Sequence, residues 1–190
     1  DVEIAFDDEG QGEPILLIHG FASNGRVNWV NPGWVETLAA GGYRVITIDN
    51  RGHGESQKLY DPSRYEASEM AEDARRLLDH LKIPRAHVMG YSMGARISAF
   101  LAINHPSRVA TAVFAGLAEN MIKGVGGGPE IAKGLEAASM VDVEDMGARA
   151  FRYFAEVTRS DLKALAACIK SSRVKITEEM LAGIKAPVLV

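Results

Sequence analysis

Residues 86–105 ask the backbone for a very tight reversal. An apolar run, Ala86-His87-Val88-Met89, leads into Gly90-Tyr91-Ser92-Met93-Gly94, and a helix-like run from Ala95 to His105 follows at once. A strand that turns into a helix over so few residues leaves no space for side chains where the two backbones meet. Glycines two positions before and two after the serine answer that demand. The serine falls at the tip, in a conformation that a residue with a Cβ rarely accepts, with its hydroxyl exposed. The Met93 amide opens the helix, where a free N–H and the helix dipole both favour negative charge.

The rest of the chain is read by hydrophobic period. Val2 to Phe6 alternates like a half-exposed strand, and Asp7 to Glu13 carries turn chemistry in Gly10 and Gly12. Pro14 to His19 and Tyr43 to Asp49 are continuous apolar runs, the pattern of strands buried on both faces of a parallel sheet. His19 to Asn24 and Asn50 to Arg64 read as loops. Helices are expected over Pro32 to Ala40, stopped by Gly41-Gly42, and over Glu66 to Leu81, stopped by Ile83-Pro84. Val109 to Ala115 is the next strand.

Strands alternating with helices in this way predict an α/β fold, a mostly parallel sheet with helices on both faces. From Leu117 to Lys185 the rhythm changes. Pro129 to Ala138, Val143 to Thr158, Ser160 to Ile169 and Thr177 to Ile184 read as helices, and a strand resumes only at Pro187. The division this predicts is a core of residues 1–116 and 186–190, with an inserted helical lid over 117–185. Gly124 to Gly128 has no following Lys-Ser/Thr, so it is read as a hinge for that lid and not as a phosphate loop.

Composition narrows the function classes. At 190 residues and 47% hydrophobic, the chain has enough material for a real core. A net charge of −4 gives nucleic acid and anionic membranes no reason to bind. No apolar run is long enough to span a bilayer. The single cysteine, Cys168, fits a reducing compartment, so a cytoplasmic location is expected. Nothing calls for a metal or a cofactor. The chain opens with Asp1 and stops within an apolar run ending at Val190, so it reads as a sheet lacking its last strand or strands. An open edge there invites a second copy, and a homodimer is expected.

Three loops leave the carboxyl ends of successive strands, the edge where open α/β sheets bind ligands. They are His19-Gly20-Phe21-Ala22, then Asp49-Asn50-Arg51-Gly52-His53-Gly54-Glu55-Ser56, then the Ser92 turn. With these motifs in this order, the sequence resembles the α/β-hydrolase fold family along essentially its whole length. The resemblance implies that Ser92 is a nucleophile and that the backbone N–H groups of Phe21 and Met93 form an oxyanion hole. It implies that Gly20, Ala22 and Tyr91 border the substrate, and that Asp49, Arg51 and His53 are scaffold for the neighbouring loop. A serine at this position argues against the dehalogenase and epoxide-hydrolase branches, which attack with a carboxylate.

A serine hydroxyl needs a histidine base and an orienting carboxylate. The family's chain order puts both after the strand that begins at Pro187, which here means beyond Val190; Glu119 is the weaker alternative for the acid. The chain alone is therefore expected to be weakly active or inactive. For the complete protein the expectation is hydrolysis of a carboxylic ester, thioester or lactone. Met121, Met140, Met146, Phe151, Tyr153 and Phe154 point to an apolar acyl or aryl substrate. The same residues would serve a C–C bond hydrolase, a cofactor-free perhydrolase or haloperoxidase-like enzyme, or a non-catalytic small-molecule-binding protein.

Overall fold

A computed structural model describes residues 2–171 and 174–190; Asp1 lies outside them. Its strands are β1 (Phe6–Gly10), β2 (Glu13–Ile18), β3 (Tyr43–Ile48), β4 (Ala86–Tyr91), β5 (Val109–Ala115) and β6 (Val188–Leu189). They form one sheet in the order β1-β3-β2-β4-β5-β6. All neighbours are parallel except β1, which pairs antiparallel with β3. The order reverses between β2 and β4: the chain first adds β3 on one side of β2, then returns to place β4 on the other. The carboxyl ends of β2 and β4 therefore diverge around a crevice, the usual ligand position in such sheets.

The unbroken apolar runs of β2 and β3 serve two cores at once, because alternate side chains face opposite ways. Ile15, Leu17 and Val45 join Trp29 and Val35, the latter from α1 (Trp34–Ala40), on one face. Leu16, Ile18, Ile46 and Ile48 face the other way, onto α2 (Ala67–His80) and α3 (Met93–Asn104). On α2 the buried residues Met70, Ala71, Ala74, Leu77 and Leu78 form one stripe; α3 is buried nearly all round, with Ile97, Phe100 and Leu101 toward the core.

Between β5 and β6 the described residues are helical and contain no strand: α4 (Asn120–Lys123), α5 (Gly128–Glu136), α6 (Met146–Val157), α7 (Leu162–Lys170) and α8 (Glu178–Ala182). Asp145, Asp161 and Thr177 cap α6, α7 and α8 through their side-chain oxygens. Ile131, Leu135, Ala155, Leu165 and Ala166 form a small core there, and Ala22 from the loop after β2 belongs to it. Arg152 is buried in this segment, donating to the carbonyls of Gly134 and Ala137, each at 2.9 Å, and so closing the end of α5. Among the described residues no helix is long and apolar enough to cross a membrane.

The structure corrects the reading of the first residues. The strand is Phe6–Gly10 and not Val2 to Phe6, and it runs through the stretch expected to be a turn. All five of its residues are exposed, so side-chain polarity costs nothing and ladder bonds to β3 decide the conformation. Residues 3–5 are instead tied to the loop after β3: the Ala5 amide donates to Ser56 Oγ at 2.9 Å, and the Ala5 carbonyl accepts from Asp49 at 2.9 Å. A π-helical turn at Arg26–Val30 and the four-residue α4 have no counterpart in the expected elements.

That loop after β3 is held by a buried ion pair. Arg51 Nε and Nη2 donate to the two carboxylate oxygens of Asp73 on α2 at 2.7 and 2.8 Å, and Nη1 donates to the Arg64 carbonyl at 2.6 Å. Both side chains are almost wholly withdrawn from solvent. Removing one partner leaves an uncompensated charge, which typically costs about 3–5 kcal/mol. Urea unfolding of Asp73→Ala is therefore expected to show a loss of about 3 kcal/mol or more. A loss under about 1 kcal/mol would show the pair to be dispensable.

Candidate functional site

The turn between β4 and α3 has the geometry its glycines require. Ser92 sits at φ 52° and ψ −112°, in the left-handed half of backbone space that β-carbons disfavour. A Cβ on Gly90 would lie 2.2 Å from the Gly94 carbonyl oxygen, and one on Gly94 would lie 2.0 Å from the carbonyl oxygen of Ile18. No methyl group fits at either place. The strained serine is pinned on both sides: its amide donates to the Ala115 carbonyl at 2.8 Å, and its carbonyl accepts from Ala95 at 3.0 Å. The Met93 amide, first in α3, has no acceptor among the described residues.

The loop after β2 runs beside it. A Cβ on Gly20 would come within 3.2 Å of the Tyr91 ring and 3.5 Å of the Ser92 β-carbon, so a side chain here would push these groups back by a few tenths of an ångström. Gly20 donates to Asn28 Oδ1 at 3.1 Å and accepts from the Ser23 amide at 3.3 Å. Ala22, at φ 60°, is the second strained residue of the site. The Phe21 amide, like that of Met93, donates to no acceptor among the described residues.

Two buried histidines underlie this loop, their rings 5.2 Å apart. The Asn50 amide donates to His19 Nε2 at 2.9 Å, and His19 Nδ1 lies 2.7 Å from the Gly20 carbonyl oxygen. His53 Nδ1 lies 2.9 Å from the Arg51 carbonyl, its Nε2 is buried without a hydrogen-bond partner, and its ring meets Phe21 edge-on at 5.8 Å. Burial disfavours the charged form of both: the pKa of His19 is lowered, and that of His53 falls to about 3, His19 adding to the effect. Asp49 serves the frame. Its carboxylate accepts from Gly25 at 2.7 Å and Glu55 at 2.8 Å, and fills the place a Cβ on Gly54 would need.

Ser92, Met93 and Phe21 together border a cavity of about 160 Å³. Its wall is mainly apolar, with Met70 and Leu117 from the sheet side and Ile131, Phe151 and Ile169 from the helical segment. Of the remaining expected substrate neighbours, Gly20, Tyr91 and Ala22 do not line it. The Tyr91 ring lies over Gly116, and Ala22 is fully buried in the helical core. Of the methionines and aromatics assigned to the lid, Phe151 reaches the cavity; Met146 and Tyr153 point to solvent, and Met121 is in the main core.

Some cavity residues had no signal in the sequence reading. Tyr65 is one; its hydroxyl donates to the Leu59 carbonyl at 2.6 Å, and burial raises its pKa. Cys168 is another, with its sulfur 4.0 Å from that of Met93. Arg96 is the third. It donates to the carbonyls of Met121 at 2.9 Å, Asn120 at 3.3 Å and Val174 at 3.5 Å, clasping α4 and the stretch between α7 and α8 to α3.

Among the described residues no imidazole or carboxylate hydrogen-bonds the Ser92 hydroxyl. Glu119 is exposed and paired with Lys123 at 2.7 Å. His80 stacks edge-on with Phe6, and His105 bonds Glu72. His87 lies within β4, bonded to Thr111 at 2.8 Å.

The neutral histidines carry a pH signature. Both titrate near 6.5 when unfolded, and burial lowers that value in the fold. Unfolding therefore takes up protons below pH ~6.5, and stability is full above that value and lost as pH falls toward 3. At pH 5 the expected loss from His53 is about 2 kcal/mol, from about 1.4 kcal/mol per pH unit, and His19 acts in the same direction. Unfolding free energies from urea titrations at pH 7 and pH 5 test this: His53→Phe should remove about 2 kcal/mol of the difference, and an unchanged difference would contradict the assignment.

Comparison with known proteins adds the following. Residues 13–173 match the family described as alpha/beta hydrolase fold. A candidate non-heme bromoperoxidase of Mycobacterium tuberculosis, BpoC, is 38% identical over 112 residues, 59% of this chain and 41% of that protein. The 2-hydroxy-6-oxononadienedioate/2-hydroxy-6-oxononatrienedioate hydrolase of Paraburkholderia xenovorans is 38% identical over 119 residues, 61% of this chain and 40% of that protein. The chain thus spans under half the length of these curated relatives. The crystal structure of a hydrolase from Pseudomonas aeruginosa superposes with a TM-score of 0.73 at 22% identity, over 98% of this chain and 74% of that one, a likeness of fold.

Proposed function

The chain belongs to the alpha/beta hydrolase fold family, and on that premise we propose that its protein is a serine hydrolase of carboxylic esters, thioesters or lactones. One observation carries the reading: a strained serine and two residues whose amides have no acceptor among the described residues line one mainly apolar cavity. In the proposed reaction Ser92 Oγ attacks the substrate carbonyl and its proton passes to a base. The carbonyl oxygen becomes an oxyanion between the Phe21 and Met93 amides. Collapse expels the alcohol or thiol, which takes a proton from that base, and leaves an acyl-Ser92. Water, activated by the same base, then releases the acid.

Each fixed donor is commonly worth about 3–4 kcal/mol of transition-state stabilisation. The α3 dipole acts in the same sense at Met93. The five histidines of the chain are engaged elsewhere, so the reading requires a base, with its orienting acid, from outside the described residues. The helical segment acts as a cap whose Phe151 and Ile131 receive an apolar acyl or aryl group. The dioate hydrolase relative supports carbon–carbon bond hydrolysis as a second reading, since the same nucleophile and donors suit it.

A fluorophosphonate probe on the full-length protein tests the nucleophile. Labelling and ester turnover should depend on Ser92, and Ser92→Ala should lower turnover by at least about 10³-fold. No Ser92-dependent labelling together with no turnover would leave a binding protein of the same fold. For the pocket, Phe151→Ala should raise KM several-fold for an aryl or long-chain ester while changing kcat little. Equal effects on a short acetyl ester would remove Phe151 from the acyl site.

A further inference from the structure

The glycine-rich stretch before α5 separates two spaces. One is the cavity of about 160 Å³ that Ser92 borders. The other is an outer groove of about 1120 Å³, which runs along α5 and reaches Val143 and Ala148 near the start of α6. Four residues line both spaces: Val125 and Gly126 from that stretch, Ile169 from the last turn of α7, and Ser171 just beyond it. The partition between cavity and groove is a single layer of residues at these positions.

The glycines of the stretch are not alike. Gly124 at φ 83° and Gly127 at φ 82° occupy left-handed backbone that glycine takes without strain. Gly126 lies outside that region, and an added Cβ there would meet nothing within 4 Å. It makes no hydrogen bond among the described residues. Neither backbone conformation nor crowding requires a glycine at this point. What its missing side chain does is leave a gap in the partition, bordered by Val125, Ile169 and Ser171.

Size and charge indicate what would use such a gap. A space of roughly 150 Å³ holds a molecule about the size of benzene, well below the roughly 300–1,000 Å³ of pockets that enclose larger ligands. An acyl group beyond about six carbons therefore has to leave the Ser92 cavity through its wall. The outer groove offers buried, apolar floor at Ala132, Val143 and Ala148, which suits an alkyl chain. Around that floor Glu130, Glu136, Asp142, Glu144 and Asp145 outnumber Lys133 and Lys170, so a chain ending in a carboxylate is disfavoured.

We propose that the outer groove is an acyl-chain subsite entered past Gly126, and that the complete protein accepts uncharged acyl chains too long for the inner cavity. The proposal rests on the serine-hydrolase reading for the acyl group at Ser92, and on the shared partition for the path of the chain beyond it.

The full-length protein and p-nitrophenyl esters of graded chain length test it. In the parent, kcat/KM should hold or rise from hexanoate to decanoate; a fall of more than about tenfold over that range overturns the proposal. In Gly126→Leu a side chain enters open space on permissive backbone and fills the gap. The ratio of kcat/KM for decanoate to that for butanoate should then drop at least about tenfold. A folded variant whose ratio stays within about twofold of the parent overturns the proposal. The mono-p-nitrophenyl ester of decanedioic acid should be turned over at least about threefold less efficiently than the decanoate at low salt, and equal efficiency overturns the placing of the chain end in the acidic groove. Should Gly126→Leu fail to fold, the chain-length and charge series in the parent decide alone. A parent with no Ser92-dependent labelling overturns the hydrolase reading instead. Calorimetric binding of methyl decanoate to Ser92→Ala then decides the subsite: binding about tenfold weaker once Gly126→Leu is added supports it, and equal binding overturns it.

Discussion

The structure depends on one contact between backbones. Gly94, in the first turn of α3, lies against the carbonyl of Ile18 at the end of β2 so closely that a β-carbon would sit 2.0 Å from that oxygen. This approach sets how deeply the helix seats over the sheet, and hence where Ser92 stands relative to the loop that continues from Ile18. It also explains why the strain at Ser92 is tolerated. The sheet below and the helix behind over-determine the turn, so a conformation costing on the order of 1–3 kcal/mol persists. The serine amide is bonded to β5 and its carbonyl to α3, which leaves the side chain as the only free part of the residue.

Polar groups near this contact are arranged to hold backbone in place and to remain neutral or fully matched. Asp49, Arg51 and Asp73 bind loop amides, carbonyls or each other. His19 and His53 stay uncharged because burial removes the water that would solvate a cation. The cavity beside Ser92 therefore meets a rigid, largely apolar floor. In such surroundings a small number of fixed amide dipoles exerts a strong field on a charge that appears during reaction.

Much of this was legible in the sequence, and the reasons are specific. The runs at Ile15–Ile18 and Val45–Ile48 could be read as strands covered on both faces because nearly every residue is apolar, and each alternate set does enter a different core. Gly90 and Gly94 could be read as steric necessities because a serine between them would otherwise have no room. The edge strand Phe6–Gly10 was not legible: its residues are all exposed, and both its ladder bonds and its Asp8–Arg44 ion pair are made with a partner more than thirty residues away. Arg96 and Tyr65 escaped notice for a related reason. Their roles are set by carbonyls contributed from distant segments, and no local spacing records such partners. Ala22 is the converse case, placed in the right loop by its motif but directed by its backbone, at φ 60°, into a different core.

That placement of Ala22 ties two properties that are often treated as separable. The residue following the Phe21 amide is a packing member of the helical segment, while Phe21 itself touches Phe151 from α6 at 5.7 Å. Under the proposed function, selectivity and chemical competence are thus joined through a single dipeptide. An evolutionary exchange of these helices for another set would not merely reshape the room a substrate enters. It would also disturb the footing of an amide beside the proposed nucleophile, so on that reading drift in specificity and drift in turnover are inherited together.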